Sequence, residues 1–474
     1  MATSYSIDIG GLEYYFIGVL QRMHASKELY PDPLAFPNAN CLYTPLYFYI
    51  LRICYKIMNI DVNTDIHKML VIGRFFSIVL IFGQFYFISK IIKRFNASAL
   101  VILLSFTLYI LLISEHMFAT RPDSLKILFF SAFVYYHIEY HFSGYALRNL
   151  FFSIICALLA VLSKQDIMVH IGICMVCVAL VKWNKKILVQ LLLYVTGCAI
   201  LFGCLWLIYG QFVFINLFLL NVQSITNITK AYVVVLIVFS ILRTLPFMLM
   251  TINNFRNSKD VTEKELIRYI CLVSVLLFGL SHFFLLRAGA NLNYTYELVV
   301  VLIVDFAIYL YLQKAIKKTN KTIQVVLLVI YLFLMKNLNV FTGTYNRIKE
   351  QKYESSYADY IKEKALIDSI VKQDRFFFPN TSYAVFYPEK NVIVGHDMHL
   401  DRFIELNSDV QVKSKLTFID TKSFDNEFIN GNVKYIIVDH DKKSIMHVQK
   451  YYPFYVVAAK TNHFLVYKFQ QTKL

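Results

Sequence analysis

The chain has 474 residues, of which 58% are hydrophobic and only 16% are charged, and its mean hydropathy is +0.53. Soluble globular domains carry about 25% charged residues, so an ordinary water-soluble protein is excluded, as are disordered and disulfide-scaffold classes. The formal charge of +16 would suggest nucleic acid as a partner of a soluble chain, but the basic excess lies between apolar segments. We therefore expect a polytopic membrane protein that binds no nucleic acid.

Apolar segments divide the chain into predicted parts. A membrane helix needs about 20 mostly apolar residues. Ten segments approach this length: 69–89, 98–116, 124–141, 148–163, 166–182, 187–208, 231–250, 269–286, 297–312 and 322–340. They predict a transmembrane domain of about ten helices over residues 69–340. Residues 1–68 are predicted as an outer N-terminal loop. Segments 42–58 and 211–223 suit helices at the membrane interface.

The basic residues predict the orientation of these helices. Fifteen Lys and Arg residues lie in one set of alternate connections and five in the other. The positive-inside rule places the first set in the cytoplasm, so residues 1–68 and the tail lie outside. Nothing before residue 42 is apolar enough to carry the N-terminus across, so either the first long helix exports residues 1–68 or an upstream first helix is missing, and we expect the second. Arg74 and Asp305 lie inside predicted spans, where burial requires a partner or an aqueous cavity.

The tail differs in character from the membrane domain. Residues 357–372 form an amphipathic helical stretch, and short runs rich in β-branched and aromatic residues follow it. Examples of these runs are residues 375–378, 392–394, 433–438 and 464–469. About 130 residues suffice for one small core. Residues 345–474 are therefore predicted to form an extracytoplasmic α/β domain.

Polar side chains gather at the predicted outer ends of the helices. They are Asp8, Glu13, Tyr43, Arg121, Asp123, Lys164, Gln165, Asp166, Arg287, Asn291, Asn293 and Tyr294. Ionisable groups at membrane depth are costly unless they face a cavity or a partner. Several separate loops that supply acids, bases and amides to one side predict a single site at the outer boundary.

The residue types suggest chemistry for this site. Arg121, Lys164 and Arg287 suit an anionic phosphate, because their cationic groups form charge-assisted hydrogen bonds with its oxygens. Asp8, with Glu13 as its substitute, is the candidate base for an incoming hydroxyl. The remaining residues suit a sugar or an acceptor, and they are Tyr43, Asp123, Gln165, Asp166, Asn291, Asn293 and Tyr294.

Each motif also has a purely structural explanation. Residues 121–123 suit a helix start with Pro at an early position, and residues 164–166 suit a solvated turn. Arg287 suits an interfacial anchor, and Tyr43 suits a turn ahead of an interfacial helix. These explanations stay open one by one. Jointly they do not explain why the cytoplasmic ends lack comparable acid-rich sequences.

Several motifs together resemble the GT-C superfamily of membrane glycosyltransferases. They are Leu29-Tyr30-Pro31-Asp32, Tyr43-Thr44-Pro45-Leu46-Tyr47, Arg121-Pro122-Asp123, Ser163-Lys164-Gln165-Asp166 and Gly289-Ala290-Asn291-Leu292-Asn293-Tyr294. Within it, the chain is most similar to bacterial members of the group that includes protein O-mannosyltransferases and the lipid A aminoarabinose transferase. The resemblance implies a multi-helix membrane domain, an exported domain and a polyprenyl-phosphate sugar as donor.

The resemblance also implies a role for one acid. The superfamily has an essential acid in its first outer loop, which matches Asp8, and a Pro-Leu-Tyr element that matches residues 45–47. The chain departs from the pattern in two ways. It begins almost at the acid, where relatives have a transmembrane helix first. The adjacent pair of carboxylates found in several members is absent, since Glu13 lies five residues beyond Asp8.

The sequence thus predicts a glycosyltransferase of the plasma (inner) membrane. It would move a sugar from a polyprenyl-phosphate donor to a lipid-linked or cell-surface glycan acceptor, with inversion and without a metal ion or other cofactor. A lipid or solute transporter or flippase is the alternative, although neither repeats nor polar clusters at mid-membrane are visible in the sequence. A non-catalytic assembly or sensor protein is a third possibility.

Overall fold

A computed structural model describes most of the membrane part and portions of the tail. The described residues are 13–25, 28–32, 41–113, 117–219, 230–259, 261–286, 292–315, 328–331, 333, 357–378, 387, 426–440 and 442–470. Asp8, Arg287, Asn291 and the predicted strand 392–394 lie outside them, as does most of the predicted span 322–340.

The described part of the first 315 residues is helical. The helices are α1 (Glu13–Ala25), α2 (Leu46–Ile57), α3 (Ile66–Lys93), α4 (Ala99–Leu112), α5 (Asp123–Phe142), α6 (Leu147–Ser163), α7 (Ile167–Val181), α8 (Lys185–Tyr209), α9 (Phe212–Phe214), α10 (Lys230–Asn257), α11 (Lys264–Phe284) and α12 (Tyr296–Ala315). A π-helix (Ile215–Leu219) follows α9, and a 3₁₀ helix (Leu292–Thr295) precedes α12. Each of the first nine predicted spans overlaps one of these helices, which confirms the predicted helical membrane fold.

Five of the described helices are long and apolar enough to cross a membrane. They are Ile66–Lys93, Lys185–Tyr209, Val234–Asn257, Lys264–Phe284 and Leu292–Gln313. The last is 83% buried inside the protein and the second only 17%. α12 is therefore the central helix, packed against α3, α4, α5, α10 and α11, while α8 presents its side chains outward. The protein is a multi-pass membrane protein.

Local signals in the sequence set several helix ends. The Ser98 side chain accepts a hydrogen bond from the Val101 amide at 3.4 Å, and Asn184 accepts one from the Lys186 amide at 2.9 Å. Both side chains satisfy amide groups that have no partner in the first turn of a helix. α8 ends at Gly210, whose φ of +70° favours glycine.

The buried carboxylate of Asp305 finds its partners within the bundle. Thr251 Oγ1 donates to Asp305 Oδ2 at 2.8 Å, Ser274 Oγ donates to the same oxygen, and Asn254 Nδ2 donates to Asp305 Oδ1 at 3.3 Å. The donors come from α10 and α11. The hydrogen bonds therefore offset the cost of burying the polar group and join three helices.

The N-terminal helices pack into the bundle. Ten of the thirteen residues of α1 are buried, and the Phe16 ring lies 5.7 Å from that of Phe48 on α2. Tyr15 Oη accepts a hydrogen bond from the Leu42 amide at 2.9 Å. α2 confirms the helix predicted within residues 42–58. α1 is held between α2 and α3.

The described part of the tail is a small mixed α/β unit. It contains α13 (Tyr357–Val371), β1 (Phe376–Phe377), β2 (Tyr435–Asp439), α14 (Lys442–Tyr451), β3 (Tyr455–Lys460) and β4 (Phe464–Phe469). The sheet order is β1-β2-β4-β3, with β1 parallel to β2 and the other pairs antiparallel. The predicted α/β class is confirmed, whereas the boundaries 1–68, 69–340 and 345–474 stay predictions.

Both faces of β2 are covered by apolar side chains. Ile437 packs in one cluster with Ile367 of α13, and Ile436 packs in another with Val448 of α14. Since successive side chains of a strand point to opposite faces, the two helices lie on opposite sides of the sheet. The short central strand is for this reason apolar throughout its middle.

Candidate functional site

Three segments meet at one end of the helix bundle, which we call the site end. They are the start of α5, the α6–α7 turn and the 3₁₀ helix before α12. The side chains that they bring together are strongly buried: Arg121 is 4% exposed, Asp123 is fully buried and Lys164 is 5% exposed. Buried charges persist only when they are paired, so the contacts among these groups decide what the site can do.

Asp123 is the hub of these contacts. Lys164 Nζ lies 2.9 Å from its Oδ1 atom, and Arg121 Nε lies 3.3 Å from Oδ2. Asn293 Nδ2 donates a weaker hydrogen bond to Oδ1 at 3.4 Å. One carboxylate therefore connects three segments that are far apart in the sequence.

A second layer of ion pairs adjoins the hub. Lys126 Nζ lies 3.4 Å from Asp166 Oδ1 and 2.5 Å from Glu297 Oε1. Lys164 Nζ lies 3.5 Å from Asp166 Oδ2, which connects the two layers. His170 Nδ1 donates to the Asp166 carbonyl oxygen at 3.3 Å, and its Nε2 lies 3.9 Å from Glu297.

The charges of this network balance. Its cations are Arg121, Lys126 and Lys164, and its carboxylates are Asp123, Asp166 and Glu297. Three positive groups face three negative ones, so with His170 neutral the network carries no net charge. An additional anionic group entering the site needs either a further cation or a rearrangement of these pairs.

The surroundings of Lys164 keep its amine charged. Burial alone would lower the pKa of this amine, but the carboxylates of Asp123 and Asp166 outweigh it and hold the pKa well above its usual value. The ammonium lies 5.6 Å from the centre of the Tyr43 ring and 5.3 Å from that of Tyr294. Aromatic faces at this distance attract a cation. Lys164 is thus a fixed, permanently charged group between two rings.

Gln165 fastens the N-terminal segment to the site end. Its Nε2 donates to the carbonyl oxygens of Leu42 at 2.8 Å and Leu217 at 3.0 Å. Next to it, Thr44 Oγ1 donates to the Val161 carbonyl at 2.8 Å. These bonds explain how Tyr43 reaches Lys164, from which it is separated by more than a hundred residues.

Glu13 forms a separate buried ion pair. Arg74 donates from Nε to Glu13 Oε1 at 3.0 Å and from Nη2 to Oε2 at 2.6 Å, and the Thr120 amide donates to Oε1 at 2.7 Å. Neither side chain is more than 1% exposed. The bidentate pair therefore anchors the segment that carries Arg121, and it supplies the partner predicted for Arg74.

Gly73 allows this anchor to form. A Cβ atom at this position would lie 2.3 Å from Thr120 Cγ2 and 2.5 Å from its Oγ1. We expect Gly73→Ala to displace Thr120 and to lower the melting temperature. Gly172→Ala is the matched control, because nothing lies within 4 Å of the added atom and alanine favours a helix. Thermal unfolding of both variants tests this, and an unchanged melting temperature for Gly73→Ala would contradict it.

The structure brings most of the described candidates into one network. The candidates in contact there are Tyr43, Arg121, Asp123, Lys164, Asp166, Asn293 and Tyr294. Gln165 borders the network, and Glu13 lies in the neighbouring ion pair. No role in the site was predicted for Lys126, Glu297 or His170. Helical spacing nevertheless places Lys126 one turn after Asp123 and Glu297 one turn after Asn293.

Arg243 is a further buried cation, and its helix α10 packs on the 3₁₀ helix that carries Asn293. It is 6% exposed and lies on α10, close enough to Tyr296 to interact electrostatically. Phe239 and Ile237 of the same helix pack with Leu292 and Tyr294. Within the described part of the chain Arg243 forms no ion pair, and its Nε and Nη2 atoms have no hydrogen-bond partner. Burial of a guanidinium without an ion pair is costly, so an anion bound at Arg243 would be favourable.

Comparison with solved structures identifies the fold. The sequence matches no protein-family model and no curated protein. The structure is similar to that of ArnT from Cupriavidus metallidurans bound to undecaprenyl phosphate, with a TM-score of 0.63 over 97% of this chain and 94% of that one, at 10% identity. The apo state of the same protein gives a TM-score of 0.60 over 98% and 95% of the two chains, also at 10% identity. The chain therefore has the ArnT-like fold of the predicted GT-C-like class, with a small α/β unit after the helices.

Proposed function

We propose that the protein is a glycosyltransferase of the plasma membrane. It takes a sugar from a polyprenyl-phosphate donor and moves it to a lipid-linked or cell-surface glycan acceptor on the outer face, with the tail domain on that side. The observation that carries the proposal is the convergence of Tyr43, Asp123, Lys164 and Asn293 in one buried polar network within a GT-C-like fold. The solved structure of ArnT with undecaprenyl phosphate supports a lipid-linked phosphate as the donor's leaving group.

The proposed reaction is a single displacement. The oxygen of the acceptor hydroxyl bonds to the anomeric carbon while the bond from that carbon to the phosphate oxygen breaks. The hydroxyl proton passes to the Asp8 carboxylate, and the polyprenyl phosphate leaves with the electron pair. Attack opposite the leaving group inverts the anomeric centre, and no metal ion takes part.

The charged side chains have distinct proposed roles. Arg121, Lys164 and Arg287 neutralise the phosphate as it leaves, because fixed cations stabilise charge that develops in the transition state. The rings of Tyr43 and Tyr294 line the site around Lys164. The polar groups that hydrogen-bond the sugar or the acceptor are Asp123, Gln165, Asp166, Asn291 and Asn293.

We also assign Arg243 to the donor phosphate. Arg121 and Lys164 are already paired with Asp123, whereas Arg243 forms no ion pair with a described residue and lies on α10, which packs on the same 3₁₀ helix. Arg243→Gln is expected to raise the KM for the donor by about tenfold without lowering the melting temperature. This is the loss of affinity expected when one charge-assisted hydrogen bond is removed. Arg256→Gln, at the exposed far end of α10, should leave the KM unchanged. A lower melting temperature with an unchanged KM would show that the role of Arg243 is structural.

Transfer by the purified full chain tests the proposed function. Reconstituted protein is given a polyprenyl-phosphate donor with a radiolabelled sugar, together with an extract of bacterial membrane lipids and glycans. We expect label in a new product that keeps its sugar after mild acid has cleaved the remaining donor. Label that crosses the vesicle membrane without forming a new glycosidic bond would indicate the transporter alternative and overturn the proposal.

A further inference from the structure

A cavity at the end of the bundle opposite the site end has features of a lipid-binding site. Its volume is about 440 Å³, and it lies between the last turns of α3, the second half of α5 and the start of α6. Five of its nine lining residues are aromatic, and two others are the cations Lys90 and Arg148. The cavity plays no part in the proposed transfer reaction.

The cavity is open toward the surroundings of the helices. Tyr86 is 54% exposed and Phe152 is 38% exposed, although both line it. The Tyr136 ring stacks on that of Phe152 with centroids 5.1 Å apart. Exposed rings at the end of apolar helices are typical of the zone where lipid head groups meet the hydrocarbon. A ligand can therefore enter from the bilayer with an apolar portion beside these rings.

The described residues leave the positive charge of the cavity without a partner. Among the described residues Glu139 is the one carboxylate that lines it, and Glu139 Oε1 lies 3.0 Å from Nη1 of Arg94, which is outside the lining. Lys90 contacts the Tyr86 ring at 5.3 Å, and Arg148 lies near Tyr136. Neither cation forms an ion pair with any residue that the structure describes. The cavity thus combines two available cations with an aromatic wall.

We infer that this cavity binds the head group of an anionic phospholipid of the surrounding membrane. Its phosphate would contact Lys90 and Arg148, and its acyl chains would lie along the exposed rings of Tyr86 and Phe152. The charge distribution of the sequence predicts that this end faces the cytoplasm. Basic pockets between helices on that side are suited to anionic head groups, because each Lys or Arg near the membrane surface attracts anionic lipid.

Thermal stabilisation by defined lipids tests the inference. Purified full-length protein in neutral detergent is titrated with phosphatidylglycerol, phosphatidylcholine or water-soluble glycerol phosphate, and its melting temperature is followed. We expect phosphatidylglycerol alone to raise the melting temperature, with an apparent affinity at least about tenfold weaker in Lys90→Gln/Arg148→Gln. Lys185→Gln/Lys186→Gln is the matched control, because it removes two exposed charges from the same end outside the cavity and should keep the affinity within twofold.

Several results would overturn the inference. Equal stabilisation by phosphatidylcholine would exclude selection of an anionic head group, and equal stabilisation by glycerol phosphate would identify a free-anion site. An equal loss of affinity in the control would show non-specific attraction. Should the double variant fail to fold, Arg148→Gln decides the matter, because Arg148 is exposed and its replacement leaves the packing intact. An unchanged affinity in that variant would overturn the inference, because Arg148 is one of the two cations proposed to contact the phosphate.

Discussion

Asp8→Asn is expected to lower the rate of sugar transfer by at least about a hundredfold while the melting temperature stays unchanged. A positioned general base contributes about 10²–10⁴ to a rate, and asparagine has nearly the same shape but cannot accept the proton. The loss should appear in kcat rather than in KM, because the base acts on the acceptor hydroxyl during the displacement. Single-turnover transfer of a radiolabelled sugar, with thermal unfolding alongside it, measures both quantities.

Glu13→Gln is the matched carboxylate variant for this experiment. Both Glu13 oxygens accept bonds from Arg74 or the Thr120 amide in a fully buried pair. Removing one partner of such a pair costs about 3–5 kcal/mol, so this variant should melt at a markedly lower temperature. Replacing both partners in Glu13→Leu/Arg74→Leu should recover much of the stability. Normal turnover by Asp8→Asn, or loss of turnover at unchanged stability in Glu13→Gln, would contradict the choice of Asp8 as the base.

The helices could be predicted from the sequence because their signal is local. An apolar run of about 20 residues identifies a membrane helix whatever its neighbours, and the runs that became α3, α8 and α10 needed no other information. The polar residues at the helix ends could also be predicted locally, because acidic residues are rare at membrane depth. By contrast β3 was not predicted. It is an edge strand in which the consecutive residues Val456 and Val457 are both exposed. Its sequence therefore lacks the regular alternation of apolar and polar residues that identifies a half-buried strand.

The pairing of charges could not be predicted in the same way. Arg74 and Glu13 are 61 residues apart, and Asn293 and Asp123 are 170 apart. Only the packing of whole helices therefore decides which of these side chains contact each other. The sequence indicated that Arg74 needed a partner but not which one. It also gave no means of separating Glu13, used in an anchor, from carboxylates that face the network. Helical spacing offered two usable signals, the single turn from Asp123 to Lys126 and the single turn from Asn293 to Glu297.

Lys164→Gln is expected to lower kcat/KM for transfer by at least about a hundredfold. The Lys164 ammonium is fixed between Asp123, Asp166 and two rings, and loss of one preorganised charge contact in a buried site typically costs 10²–10³ in rate. The variant also leaves a surplus carboxylate, so its melting temperature should fall.

A double-variant cycle separates these two effects of Lys164. Lys164→Gln/Asp123→Asn restores the balance of charge, and its melting temperature should recover toward that of the wild type. Its transfer rate should nevertheless stay at least tenfold below that of Asp123→Asn alone, because the cation proposed to neutralise the phosphate is still absent. Lys186→Gln, an exposed replacement at the opposite end, controls for net charge. If the double variant were as active as Asp123→Asn, Lys164 would act only by holding Asp123 in place, and the phosphate would have to be bound by the remaining cations.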